Sequence, residues 1–460
     1  MRALIYHSSI LLGTIGIFFA IDACGANLHA SDQPVPLASS APLTESKAHV
    51  LIHVLMTLAA VVALGWLLGK ALAYVGQPPV IGEVLAGIVL GPSLLGHLWP
   101  EAREMLLPAS TAPVLSVVAQ IGIILYMFLI GLELNPGMLQ GRTRATFAIW
   151  QASIAAPFVL GVTLALYLYP RLSNGDVTFA SFALFLGVAM SITAFPVLAR
   201  ILTDLKMQKT PLGTLALACA SLDDAAAWCL LALVVGVAKA QVSDALLVLA
   251  GAALYLAFML LVVRPLAHRF LGRADASLSR SDIALVFLGL LASALATEWI
   301  GLHAIFGAFL FGAVIPHDSA VARVFTEKLE DVVTVLLLPA FFAFTGMRTE
   351  ISLVSGWEAW GICALIILVA TLAKFGGTVV AARAVGIGWR ESSALGVLMN
   401  TRGLMELIVL NVGLDLGIIS PTLFAMMVLM ALVTTMATTP LLHWLGVTRE
   451  RSTAPVSVPA

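Results

Sequence analysis

Thirteen apolar stretches of about 20 residues recur between residues 49 and 446, divided by Gly, Pro and charged clusters, and they constrain the fold more than any other feature. About 20 residues of helix cross a hydrocarbon layer roughly 30 Å thick. Within that layer every backbone N–H and C=O needs a partner from its own segment, so such stretches fold as helices. Of the 460 residues, 60% are hydrophobic and 11% charged, against about a quarter charged in an average soluble domain, and the mean hydropathy is +1.03. The fold class expected is an all-α polytopic membrane protein with about 13 transmembrane helices, the ninth (302–316) being short. Net charge is -1, from 24 basic and 25 acidic residues, with no basic face or tail, which excludes a nucleic-acid partner. Cys219, Cys229 and Cys363 lie in apolar stretches and, with Cys24, show neither metal spacing nor a disulfide framework, so those three read as small buried hydrophobes. No metal triad, nucleophile constellation or phosphate loop is visible, and an enzyme is not expected.

Residues 1–30 carry Arg2, an apolar run from Ile10 to Ile21 and small residues ending in Ala30. This pattern predicts a signal peptide, with an uncleaved short helix as the alternative. Residues 31–47 follow as an extracytoplasmic leader, 48–446 as the transmembrane domain and 447–460 as a short cytoplasmic tail. An odd number of spans after an exported leader puts the N-terminus outside and the C-terminus inside. Assigned that way, sixteen Lys and Arg fall in cytoplasmic connections and five outside, as the positive-inside rule demands. Of the remaining three, Arg2 is in the leader, while Lys374 and Arg402 fall inside spans.

Polar residues at membrane depth mark where chemistry is expected. "SLDDAAAW" sets Asp223 and Asp224 inside an apolar helix, and one charge at the centre of a membrane helix costs roughly 2.5 to 3.5 kcal/mol even on the lenient insertion scale. Span five, "FALFLGVAMSITAFPVLARIL", is interrupted at Pro196, with Ser191 and Thr193 just before it. Span twelve, "VLMNTRGLMELIVLNVG", is interrupted by Asn400, Thr401, Arg402 and Gly403, and Arg402 and Glu406 are four apart on one helical face. Spans four to six and eleven to thirteen therefore correspond in position but run in opposite directions. Inverted repeats with two interrupted, crossing helices are where secondary transporters hold their ions. Lys374 lies mid-span, too far from either end to snorkel, which predicts a pair with an aspartate of the other repeat. Adjacent helical residues point about 100° apart, so one aspartate faces Lys374 while the other faces a cavity as a hard oxygen ligand open to protons and alkali cations. Glu83 and Glu133 read as packing or interface residues, with the lining of an entry funnel as the alternative, and His303 as a hydrogen-bonded core histidine.

Seven motifs carry a family resemblance: "QPPVIGEVLAGIVLGPSLLG", "FLIGLELNP", "SITAFPVLARIL", "ASLDDAAAW", "LPAFFAFTGMRTEI", "AKFGGT" and "MNTRGLMELIVLNVG". Over about residues 48–446 the chain resembles the monovalent cation:proton antiporter-2 family, especially the membrane domain that plant cation/H+ exchangers share with bacterial relatives. The resemblance implies Asp224 as the carrier of cation and proton, Asp223 as the partner of Lys374, and Thr193 and Ser191 beside the transported Na+ or K+ at the helix crossing, with Asn400, Arg402 and Glu406 as auxiliary residues. It further implies electrogenic exchange without a cofactor, in a bacterial inner membrane, by a homodimer whose core (145–237 and 357–446) moves past a scaffold. No nucleotide-binding regulatory domain follows the last span, so regulation is expected from pH or ions at the core. The alternative function is a K+ efflux channel without obligatory proton coupling, disfavoured by the lack of a TVGYG-like filter.

Overall fold

The computed structural model describes residues 2–25, 47–133, 143–174, 177–208, 210–239, 242–271, 279–301 and 303–447, and among these residues the regular structure is helical, without strands. The leader, except Lys47, and the tail, except Val447, lie outside the described residues. In chain order the helices are α1 (Arg2–Gly25), α2 (Lys47–Ala73), α3 (Pro79–Leu90), the short α4 (Leu95–Leu98) and α5 (Pro100–Leu106), α6 (Ala112–Glu133), α7 (Thr143–Leu172), α8 (Phe179–Ser191), α9 (Phe195–Asp204) and α10 (Pro211–Lys239). The second half adds α11 (Val242–Phe258), continuous through a π turn with α12 (Arg264–Leu271), then α13 (Arg280–Ile300), α14 (Ala304–Val314), α15 (Ala320–Val332), α16 (Leu338–Met347), α17 (Gly356–Ala384), α18 (Trp389–Met399), α19 (Leu404–Asp415) and α20 (Pro421–Trp444).

Ten helical spans among the described residues are long and apolar enough to cross a membrane. The other three expected crossings are built differently. Within the short ninth stretch the helix is the eleven-residue α14, while spans five and twelve are each two half-helices, α8 with α9 and α18 with α19. Pro196 falls in the first turn of α9, where a missing N–H is harmless, so the proline starts a new helix rather than kinking an old one. The segment expected as a signal peptide forms α1, which packs on α7 and α8. Cys219 and Cys363 are buried, but Cys229 is exposed on the outside of α10, a departure from the expectation that it is a core residue.

Two groups of helices result. A repeat bundle contains α7 to α10 and α17 to α20, with α17 packed on α7, α18 on α10 and α19 on α8. A flanking bundle contains α2, α3, α6 and α13 to α16. Its helices approach at backbone distance because glycine lies at the crossings: a Cβ on Gly87 would stand 2.6 Å from Ala343 Cα, and one on Gly346 2.7 Å from the Ile88 amide nitrogen. Between helices in lipid the drive is close packing, which small residues permit. The bundles meet where α16 lies against α19 and the turn Ile351–Leu353 against α20.

Candidate functional site

The two interrupted helices cross at their breaks. Ile192 to Ala194 run extended between α8 and α9, and the Ala194 N–H donates to the Thr401 carbonyl in the other break at 3.0 Å. Each break exposes helix ends whose partial charges need counterparts: a negative carbonyl end and a positive amide end. The sequence supplies both signs. At the carbonyl end of α8, Arg402 donates to the Ala189 carbonyl (3.1 Å) and the Met190 carbonyl (2.8 Å), and Lys374 donates to the Ser191 carbonyl. At the amide end of α9, the Phe195 N–H faces the Asp224 carboxyl without a well-formed hydrogen bond.

Asp223 and Asp224 are 1% and 2% exposed, so neither is relieved by solvent. Their partners differ completely. Lys374 Nζ lies 2.9 Å from Asp223 Oδ2 in a fully buried ion pair. The Thr193 hydroxyl donates to the same oxygen at 2.5 Å, with the Met399 carbonyl 3.0 Å away as an alternative acceptor, and Ser153 donates to Oδ1 at 3.2 Å. Neither oxygen of Asp224 has a hydrogen-bond partner among the described residues. A lone buried carboxylate is expensive, and this one is tolerable when it carries a proton or touches a cation.

The structure thus brings Asp223, Lys374 and Thr193 into one cluster, with Asp224 beside it. Ser191 joins through its backbone carbonyl, because its hydroxyl donates back to the Gly187 carbonyl at 2.7 Å. Arg402 pairs with Glu406 at 3.1 Å, both side chains fully buried. Its backbone is clasped by Thr435, which accepts from the Arg402 N–H (3.0 Å) and donates to the Arg402 carbonyl (2.6 Å). Asn400 faces a separate cavity of about 280 Å³ with Thr434, Thr438 and Trp444, and its Oδ1 has no hydrogen-bond partner among the described residues. Ser153 was not anticipated: a single serine in the apolar span of α7 reads as bonding back to its own helix, and the Trp150 carbonyl, 2.8 Å away, is the alternative acceptor for the same hydroxyl proton. Among the described residues no three His, Cys, Asp or Glu side chains converge as a metal cluster.

Inverted three-helix groups whose broken middle helices cross beside buried charges define a secondary transporter of the ion-exchanging class. Residues 46–446 match the family described as sodium/hydrogen exchanger, transmembrane, and the chain belongs to that family. It is 45% identical to the Na(+)/H(+) antiporter NhaS4 of Synechocystis sp. over 397 residues, covering 85% of this chain and 97% of the relative. Cation/H(+) antiporter 20 of Arabidopsis thaliana is 41% identical, covering 79% of this chain and 45% of that protein. K(+)/H(+) antiporter 1 of Saccharomyces cerevisiae is 36% identical, covering 79% and 43%. The chain therefore spans less than half the length of these plant and yeast relatives. Among solved structures, the sodium proton antiporter MjNhaP1 from Methanocaldococcus jannaschii at pH 8 superposes with a TM-score of 0.66 at 14% identity, over 87% of this chain and 98% of that one, a likeness of fold.

Proposed function

We propose that the protein is a secondary active antiporter exchanging a monovalent cation, Na+ or K+, for H+ by competition at Asp224, while Lys374 holds Asp223. The observation that carries this reading is the unequal treatment of two neighbouring buried carboxyls: Asp223 accepts from Lys374 and Thr193 and lies within reach of the Ser153 hydroxyl, and Asp224 has no hydrogen-bond partner among the described residues. A carboxyl whose needs are already met is a poor carrier. One left open in a dry site must take up a proton or a cation, and exchanging them is antiport.

On this reading the repeat bundle is the moving core, the flanking bundle is the scaffold of a homodimer, and the protein lies in a bacterial inner membrane with its N-terminus outside and C-terminus inside. The similarity to Na(+)/H(+) and K(+)/H(+) antiporters supports the exchange, and the distribution of basic residues supports the orientation. More than one proton per cation, and hence net charge movement, is proposed from the Asp-Asp plus Lys pattern. The decisive variant is Asp224→Asn in proteoliposomes. Cation-dependent dequenching of a pH dye is expected to disappear; retained exchange would sink the assignment, and cation current without proton movement would favour a channel.

A further inference from the structure

Where α16 of the flanking bundle meets α19 of the repeat bundle, the polar groups form a chain from the dry interior to solvent. Asn411 donates to the Thr345 hydroxyl at 2.8 Å and accepts at Oδ1 from Arg348 Nη1 at 3.0 Å. Nη2 of the same guanidinium lies 2.6 Å from Asp415 Oδ1, in an ion pair whose side chains are 25% and 51% exposed. Thr345 and Arg348 are three apart, and Asn411 and Asp415 four apart, so each pair lies on one face of its segment. Asp415 ends α19, where the negative helix end disfavours an acidic side chain. Its own helix gains nothing from it, and the compensating charge comes from the other bundle. Just before α3 the bundles are also joined by a neutral bond, from Gln77 Nε2 to the Met436 carbonyl at 3.0 Å.

We propose that Arg348 is a positioning residue: a releasable tether that holds the repeat bundle against the flanking bundle in this arrangement and lets go as the repeat bundle moves. This rests on the antiport reading above. Its outer half is a solvent-facing ion pair and is screened by salt; its inner half, on Asn411, is shielded from it. Weakening the outer half shortens the dwell in the tethered arrangement, so turnover rises.

The test uses the full chain in proteoliposomes at saturating cation and low ionic strength. R348Q and D415N are each expected to raise turnover about two- to fivefold, the range of a single exposed ion pair. Choline chloride raises wild-type turnover and leaves that of R348Q unchanged, and the reversed pair R348D/D415R, which re-forms the outer ion pair without the bond to Asn411, brings turnover back down from the R348Q rate and restores its salt response. If R348Q fails to fold, D415N, which breaks the outer ion pair and keeps the bond to Asn411, carries the test. A turnover that does not rise, or a reversed pair that does not bring it back down, overturns the proposal. A wild-type protein that exchanges no cation for protons refutes the antiport reading instead. The tether is then decided by hydrogen–deuterium exchange, in which α19 amides must exchange faster in R348Q than in the wild type.

Discussion

An ammonium 2.9 Å from a carboxylate, both wholly out of solvent as Lys374 and Asp223 are, survives because further hydrogen bonds share the desolvation cost: Thr193 and Ser153 on the carboxylate, the Ser191 carbonyl on the ammonium. Removing one member leaves the other charge stranded. Lys374→Met and Asp223→Asn should each destabilise the protein by about 3 to 5 kcal/mol in equilibrium unfolding, and the double variant by less than either, since an apolar replacement of the whole pair is often tolerated. A double variant that costs the sum of the two would show that they do not act as a pair. Asp224 belongs to another category. Its substitution removes a ligand and strands no charge, so its effect falls on transport and little on folding.

At the level of helices, the long uninterrupted segments were legible in the sequence because hydropathy over 20 residues is a collective signal that no single side chain overrides. The two interruptions were legible as well, from Pro196 and from Asn400 to Gly403. What each break does with its exposed ends was not. That Arg402 caps α8, a helix more than two hundred residues away, depends on the crossing geometry, which local sequence does not encode; within its own segment Arg402 announces only the pair with Glu406. Nor did spacing decide which aspartate Lys374 holds: the 100° between neighbours says they differ, and the resemblance assigned them. The glycines of the flanking bundle give an element-scale prediction. Gly346→Ala places a methyl against the backbone of α3, and overpacking of this kind costs about 1 to 3 kcal/mol. Unfolding in SDS should show that loss, whereas Gly361→Ala, with open space around its Cβ, should show none.

Across the whole molecule, an ion bound in the repeat bundle is linked to the stability of the entire fold, because whatever binds the native state and not the unfolded chain stabilises it by mass action. Saturating Na+ or K+ should therefore raise the melting temperature in detergent, by an amount that shrinks as pH falls and protons occupy the same carboxyl. Asp224→Asn should remove the cation effect at every pH; a shift that persists would place the ion elsewhere. The buried centre also has an electrical character. With every group ionised, Asp223, Asp224 and Glu406 against Lys374 and Arg402, all buried, leave one negative charge. A single proton or a single monovalent cation brings that to zero, and a divalent cation overshoots. The loaded centre would then cross the membrane field as a neutral body whenever it carries one alkali ion, and that half of the cycle would be indifferent to voltage. Any second proton would ride on the return half alone, so membrane potential would act on the cycle through the proton-carrying step.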